Sequence, residues 1–160
     1  MDLILWRHAD AGDPLSGRND LLRALSPKGR RQAQRMARWL NKHWPDGARV
    51  LVSPALRTCE TAEALGRPFE TQAALGPEAE VSDLLAAAGW PDAPHTVVLV
   101  GHQPTLGRLA SSLLAGVEQP WAIRKGSVWW LRGRVCAATQ ASGGFCRGVT
   151  LLAVRQPEGL

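Results

Sequence analysis

The stretch that decides the fold is LILWRHA, residues 3–9. Its first four residues are all apolar, and such an unbroken run predicts a short strand covered on both faces, as at the centre of an α/β sheet. Arg7 and His8 follow at the carboxyl end of this strand, which is where open α/β sheets bind their ligands. An arginine beside a histidine there suggests an anion held next to a nucleophile or base. A salt-bridged arginine and a structural histidine are an equally good interpretation of these two residues alone.

The length and composition of the chain restrict its class. The 160 residues are 45% hydrophobic and 21% charged, which predicts one globular domain over residues 1–160. There is no apolar run of about 18 residues and no basic segment leading into a long apolar stretch, so we expect no membrane span and no signal peptide. The three cysteines are an odd number without C-x-x-C spacing, which favours reduced thiols in a cytoplasmic protein.

The chain is basic, with a net charge of +5 and a pI of about 9.9. A basic balance raises the possibility of nucleic-acid binding. The cations are spread along the chain, however, and the densest group lies on one predicted helix with an apolar opposite face: Lys28, Arg30, Arg31, Arg35 and Arg38. We therefore favour a solvated helix face, compatible with an acidic partner, and we expect no nucleic-acid partner.

Apolar runs alternate with helical patterns along the first two thirds of the chain, and strand-like segments follow. We predict helices over 27–44, 54–65, 77–88 and 106–114, the first two with a serine cap and a proline at the first helical position. We predict strands over 3–6, 49–52, 69–73, 96–100, 127–131, 135–140 and 146–154. This order indicates a single-domain three-layer α/β/α sandwich with a mostly parallel central sheet.

Three of the predicted strands end in residues that could do chemistry. They are followed by Arg7 and His8, by Ser53 with Arg57 shortly after, and by His102. In a doubly wound sheet these ends can meet at one edge. Two histidines and two arginines without cysteines or paired carboxylates are a poor zinc site, but they suit a phosphoryl group.

Four segments together resemble the histidine phosphatase superfamily, also called phosphoglycerate-mutase-like. They are LWRHA at 5–9, RALSPKG at 23–29, VSPALRTCETA at 52–62 and VGHQP at 100–104. Their order and spacing are similar to those of the short branch of SixA-type phosphohistidine phosphatases. The resemblance covers about residues 2–115, and it implies a phosphoglycerate-mutase-like fold.

The resemblance also implies roles for individual residues. His8 would be the nucleophile that becomes phosphorylated, and Arg7, Arg57 and His102 would surround the phosphoryl oxygens. Arg23 would be a further phosphate contact. Such a site is expected to work without a metal or another cofactor.

The chain departs from the family pattern at two places. Residue 9 is alanine where the wider superfamily usually has glycine, a change that the short branch tolerates. Larger members have a carboxylate general acid after the third strand, and Glu78 and Glu80 lie in about that place. Neither belongs to a matching motif, so we favour their being acidic residues at a helix N-terminus over their being the general acid.

The expected activity is that of a metal-independent phosphatase that acts on protein phosphohistidine, for example on a histidine-phosphotransfer protein. An imidazole leaves phosphorus readily, so it needs no strong general acid. The loop of about seventeen residues between His8 and Ser26 leaves little to form a lid, and an open site can admit a side chain of a folded partner. The alternatives are a small-molecule phosphomonoesterase, a mutase, which needs a more closed basic pocket, and a phosphohistidine-binding module without turnover. The presence of both His8 and His102 argues against the binding module.

Overall fold

The apolar stretch at residues 3–6 lies in strand β1 (Asp2–Arg7), which has a hydrogen-bonded neighbour on each side. All four apolar side chains are fully buried. Leu3 and Leu5 pack into the core on one face of the sheet, whereas Ile4 and Trp6 pack into the core on the other face. The strand is therefore central and covered on both faces, as predicted.

The computed structural model describes residues 1–135 and 147–159, and within them the chain forms one sheet of six strands. The strands after β1 are β2 (Arg49–Val52), β3 (Glu70–Thr71), β4 (Val97–Gly101), β5 (Val128–Val135) and β6 (Arg147–Arg155). Their order across the sheet is β3-β2-β4-β1-β5-β6. The strands from β3 to β1 are parallel, and β5 and β6 are antiparallel to their neighbours.

Helices cover both faces of this sheet. They are α1 (Pro27–Lys42), α2 (Leu56–Glu63), α3 (Val81–Ala88) and α4 (Thr105–Ala115). The core on one face joins α1 and α2 to the sheet, and the core on the other face joins α3 and α4 to it. The architecture is a mixed α/β/α sandwich with a mostly parallel sheet, which confirms the predicted fold class. No helix within the described ranges has the length and apolar character that a membrane crossing needs.

The helix starts show where local sequence signals hold and where they fail. Ser26 caps α1 as predicted, because its hydroxyl accepts a hydrogen bond from the Gly29 N–H at 3.0 Å. The second helix was predicted to begin at residue 54, but α2 begins at Leu56 with Ala55 at the cap position. The helix predicted over 77–88 begins only at Val81. Residues 77 and 78 form a turn instead, and Glu80 enters the helix with an extended backbone.

The strand predictions also need three corrections. The strand predicted over 69–73 is only the two residues of β3, and a 3-10 turn at Ala73–Leu75 follows it. The turn predicted between strands at 127–131 and 135–140 does not form, since β5 runs through Gly133. That glycine is needed for close packing, because a Cβ there would collide with the Trp90 ring. Strand β6 falls one residue later than the predicted 146–154, and residues 136–140 lie outside the described part of the chain.

Candidate active site

The ends of three parallel strands lie together at one edge of the sheet. Arg7 is paired with Gly101 across β1 and β4, and β2 runs alongside β4 on its other side. The chain then leaves each strand in register: the His8 N–H donates to the Gly101 carbonyl at 3.1 Å and the Ser53 N–H donates to the Val100 carbonyl at 3.0 Å. The parallel sheet therefore brings His8, Ser53 and His102 together from distant parts of the sequence.

His8 is held as a neutral imidazole with one free nitrogen. Its Nδ1 lies 2.8 Å from the Ala9 carbonyl oxygen, and only 6% of the residue is exposed. Because a carbonyl oxygen only accepts, Nδ1 carries the proton and Nε2 keeps its lone pair. Burial lowers the pKa of His8 to about 4; the Ala9 carbonyl opposes this shift, and the charges of Arg57 and Arg7 add to it. The ring is thus neutral at pH 7.

His102 faces His8, with their ring centroids 5.3 Å apart. Its Nδ1 lies 3.4 Å from Nη2 of Arg57, and its Nε2 lies 2.7 Å from the Ser53 hydroxyl. Since a guanidinium only donates, Nδ1 accepts and Nε2 donates its proton to Ser53. Burial lowers the pKa of His102 to about 3, and the nearby His8 and Arg57 contribute. An anion beside Nδ1 would favour the protonated ring instead.

Arg57 is a buried cation with spare donor capacity. It is the second residue of α2 and is only 3% exposed. Its Nη1 donates to the Asp20 carbonyl at 2.8 Å, and Nη2 lies 3.2 Å from the Asp20 carboxylate. Its Nε is buried and has no hydrogen-bond partner in the described structure. A buried donor left unpaired is costly, so this N–H is suited to an incoming oxyanion.

Arg7, which precedes His8 in the chain, also has spare donor capacity. Its Nη1 donates to the Ile123 carbonyl at 2.8 Å, while its buried Nε lacks a partner among the described residues. Burial lowers the pKa of both Arg7 and Arg57 below the ordinary value of an arginine, but an arginine remains charged at neutral pH. The two guanidinium groups therefore provide fixed positive charge beside the two imidazoles.

Asp20 is the counter-ion of these cations. Its carboxylate lies 2.8 Å from Nε of Arg23 and 3.2 Å from Nη2 of Arg57. The hydrogen bond from Arg23 is the main reason that the pKa of Asp20 is lowered, and the charge of Arg57 adds to it. Arg23 is tied down further because its Nη1 donates to the Gly12 carbonyl at 2.8 Å. Asp20 therefore stays ionised and links the loop after His8 to α2.

Thr61 fixes the position of the His8 turn relative to α2. Its hydroxyl donates to the Arg57 carbonyl at 2.6 Å and accepts from the Ala9 N–H at 3.1 Å. Thr61 and Ala9 are both fully buried. The turn that follows His8 and the helix that carries Arg57 are thus linked through the Thr61 hydroxyl, which makes one hydrogen bond to the main chain of each.

The predicted nucleophile His8 and the predicted phosphate-binding residues line one cavity of about 260 Å³. The phosphate-binding residues are Arg7, Arg23, Arg57 and His102. This volume is sufficient for a phosphoryl group with part of its leaving group. The structure brings these five residues together, and their roles stay a prediction.

The two predicted general-acid candidates lie elsewhere. Glu78 and Glu80 are both exposed, and neither lines this cavity. Glu80 is the cap residue of α3, where its N–H donates to the Asp83 carboxylate at 2.9 Å. Glu78 lines a neighbouring groove instead. The carboxylate that does line the cavity is Asp13, which the sequence interpretation did not single out.

The sequence interpretation also missed some contributors and contacts of the site. Ser53 was recognised as a strand-end residue and as a helix cap, but not as the acceptor of a hydrogen bond from His102. Asp20 stands 37 residues before Arg57, in a loop without a motif. Lys125 lines the cavity and lies 2.8 Å from the Asp10 carboxylate. Ser53 and His102 each follow a predicted strand, and this was the signal in the sequence that could have indicated the hydrogen bond between them.

The described ranges, 1–135 and 147–159, contain no group of three histidine, cysteine or acidic side chains placed to hold a metal ion. The fixed positive charge that surrounds His8 comes from arginines. That the reaction needs no metal stays a prediction.

The chain is similar in sequence to a known family and to two known proteins. The family model described as "Histidine phosphatase superfamily (branch 1)" matches residues 3–82, half of the 160 residues. An uncharacterised protein of Picosynechococcus sp. is 34% identical over 128 residues, which are 72% of this chain and 74% of that protein. The phosphohistidine phosphatase SixA of Escherichia coli is 30% identical over 132 residues, which are 75% of this chain and 78% of that protein.

Among solved structures, the protein histidine phosphatase SixA complexed with tungstate superposes with a TM-score of 0.73 at 26% identity, covering 99% of each chain. The fold is therefore that of SixA-type, phosphoglycerate-mutase-like proteins. Half of the chain matches the family model, and the curated relatives match over most of their lengths. The chain belongs to the histidine phosphatase superfamily.

Proposed function

We propose that this protein is a metal-independent phosphatase that removes the phosphoryl group from phosphohistidine on another protein, with His8 as the nucleophile. The observation that carries the proposal is the state of His8. The Ala9 carbonyl holds the proton on Nδ1, and burial keeps the ring neutral, so Nε2 has a lone pair at pH 7. Arg7 and Arg57 lie beside it with unpaired Nε donors.

In the first step, Nε2 of His8 attacks phosphorus in line with the bond to the leaving group. The Nε2–P bond forms as the bond from phosphorus to the substrate's imidazole nitrogen breaks, and that nitrogen takes up a proton from solvent water. Negative charge on the equatorial oxygens is stabilised by Arg7, Arg57 and His102. His102 is suited to this role because an oxyanion at Nδ1 would favour its protonated form, while Ser53 accepts from Nε2.

In the second step, water attacks the phosphorylated His8. The P–Nε2 bond breaks, inorganic phosphate is released and the lone pair returns to Nε2. The same arginines and His102 serve both steps, because the oxygens on phosphorus keep their places while nucleophile and leaving group exchange roles.

The choice of phosphohistidine rests on the leaving group and the access. An alkoxide needs a well-placed general acid, worth typically about 10²–10⁴-fold, whereas an imidazole leaves easily. Neither Glu78 nor Glu80 lines the cavity, and Asp13, the carboxylate that does line it, is an exposed residue of the loop after His8 rather than a buried, positioned acid. The similar proteins include the phosphohistidine phosphatase SixA of Escherichia coli, and the similar structures include SixA in complex with tungstate, an anion shaped like phosphate. A phosphorylated protein of the histidine-phosphotransfer type is the partner that this chemistry favours.

The test is a comparison of substrates on matched variants. We expect kcat/KM for a phosphorylated histidine-phosphotransfer domain to exceed that for glycerol 3-phosphate, an ester whose leaving group is an alkoxide, by about 10² or more. The variant His8→Asn should lose both activities. His43→Asn is the matched control, because the exposed His43 also has its Nδ1 2.8 Å from a backbone carbonyl, that of Trp39, but lies away from the cavity. Comparable rates on the two substrates would favour a small-molecule phosphatase, and full activity of His8→Asn would exclude the mechanism.

A further inference from the structure

Three leucines near the catalytic cavity have exposed side chains. Leu15 is 60% exposed, Leu21 43% and Leu22 69%. All three lie in the segment that connects His8 to α1. Large apolar side chains grouped on a surface mark interaction sites more often than chance packing does, because water contact is unfavourable for them.

The leucines border two grooves that are continuous with the catalytic cavity. One groove of about 600 Å³ contains Leu15 and Leu22, and it shares Asp13 and Arg23 with the cavity wall. A second groove of about 600 Å³ contains Leu21 and shares Pro77 with the cavity. Together they form an apolar margin around one side of the phosphoryl site. Each groove is larger than the cavity of about 260 Å³ itself.

The leucines are also close in the chain to a group that contacts the catalytic arginine. Leu21 and Leu22 belong to the 3-10 turn at Asp20–Leu22. In this turn, Asp20 points its carbonyl and carboxylate at Arg57, whereas the two leucine side chains remain exposed. Anything seated on the leucines therefore lies next to the residue that holds Arg57.

The size of these surfaces distinguishes between kinds of substrate. A small phosphate compound fits in the cavity and leaves the leucines in water. A phosphohistidine on a helix is flanked by side chains three and four residues away on the same face, within a helix about 10–12 Å wide. When its phosphoryl group enters the cavity, those neighbours must lie over the flanking grooves. Apolar neighbours would then cover the leucines.

We infer that Leu15, Leu21 and Leu22 form the docking surface for an amphipathic helix of the substrate protein, which presents its phosphohistidine between apolar side chains. The inference rests on the proposed function and adds the contact that selects a protein over a small phosphate compound. Arg18 also lines the first groove, and its exposed guanidinium suits an acidic residue on the same helix.

The test measures steady-state kinetics of Leu21→Ser, Leu22→Ser and the double variant on two substrates. The substrates are a phosphorylated histidine-phosphotransfer domain and free phosphohistidine. Val117→Ser is the matched control, since Val117 is 49% exposed but follows the C-terminal end of α4, whose N-terminal end is the one near His102. Thermal unfolding of each variant establishes that it is folded.

We expect the double variant to raise KM for the phosphorylated domain by about tenfold or more, as truncation of a binding hot spot does. Hydrolysis of free phosphohistidine should change by less than about twofold, and Val117→Ser should change neither activity. Equal losses on both substrates, no loss on either, or hydrolysis of free phosphohistidine alone by the wild type would overturn the docking surface and leave the phosphatase standing. If the wild type hydrolyses neither substrate, the proposed function fails first.

A second copy of this chain is the other possible occupant of the leucines. Analytical ultracentrifugation of the wild type and the double variant distinguishes it. A monomeric wild type supports the inference, whereas a dimer that the leucine substitutions dissociate would overturn it.

Discussion

The neutral state of His8 and His102 in the candidate active site should make the protein lose stability as the pH falls below 6.5. Folding lowers the pKa of His8 from 6.5 to about 4 and that of His102 to about 3. Below pH 6.5 the unfolded chain therefore binds protons that the folded protein does not bind. The free energy of unfolding is unaffected above pH 6.5 and falls as the pH drops toward the folded pKa values.

The size of the loss follows from these pKa values. Between pH 7 and pH 5, a histidine that titrates at 6.5 unfolded and at 4 or below folded reduces the free energy of unfolding by about 2 kcal/mol. His8 and His102 together account for about 4 kcal/mol. The carboxylates with a lowered pKa affect stability at lower pH; they are Asp2, Asp10 and Asp20. Their contribution to the free energy of unfolding is present above pH 3.8 and is lost as the pH falls below 3.8.

The perturbation that tests this prediction is His8→Asn. An asparagine amide can replace the Nδ1 donor to the Ala9 carbonyl but does not titrate, so about half of the loss should disappear. The assay is urea unfolding of the wild type, His8→Asn and the control His43→Asn at pH 7 and pH 5. Equal pH dependence in the wild type and His8→Asn would refute the assignment of a neutral, buried His8.

Three further predictions concern activity. Ser53→Ala removes the acceptor that orients His102, and kcat/KM should fall about tenfold, a loss that a Ser53→Thr variant partly restores. Glu78→Gln and Glu80→Gln should retain wild-type kcat on phosphohistidine and on a phosphomonoester within about threefold, since neither lines the cavity; a loss of 10² or more on the ester alone would identify a general acid. A chelator should leave kcat unchanged, and activity lost in chelator but restored by Mg²⁺ would contradict the metal-independent mechanism.

The sequence predicted those parts of the site that regular structure delivers. Strands such as β1 and β4 are recognisable because full burial demands an unbroken apolar run, and parallel pairing then forces their carboxyl ends to one edge. His8 and His102 follow those ends directly. Arg57 is in the first turn of α2, so a shift of the helix start from residue 54 to Leu56 did not change its interpretation.

The parts of the fold and the site that could not be predicted depend on loop conformations and on contacts between residues far apart in the sequence. Asp20 reaches Arg57 only because a short 3-10 turn directs it there, and no periodic pattern marks such a turn. The Ser53 hydroxyl accepts from the Ala55 N–H at 3.3 Å, as a local capping signal predicts, and also from His102 at 2.7 Å, a contact between residues 49 apart in the sequence. Gly133 signals a turn by composition, but packing against Trp90 overrides that signal.

The central claim is that His8 carries the phosphoryl group between the two steps. The most direct measurement is rapid acid-free quenching of the enzyme during turnover of a phosphorylated histidine-phosphotransfer domain, followed by mass spectrometry of its peptides. We predict a phosphoryl group on His8 that is lost in acid and stable in alkali, and none in His8→Asn. Turnover without a labelled His8, or an acid-stable phosphoryl group on another residue, would contradict the account.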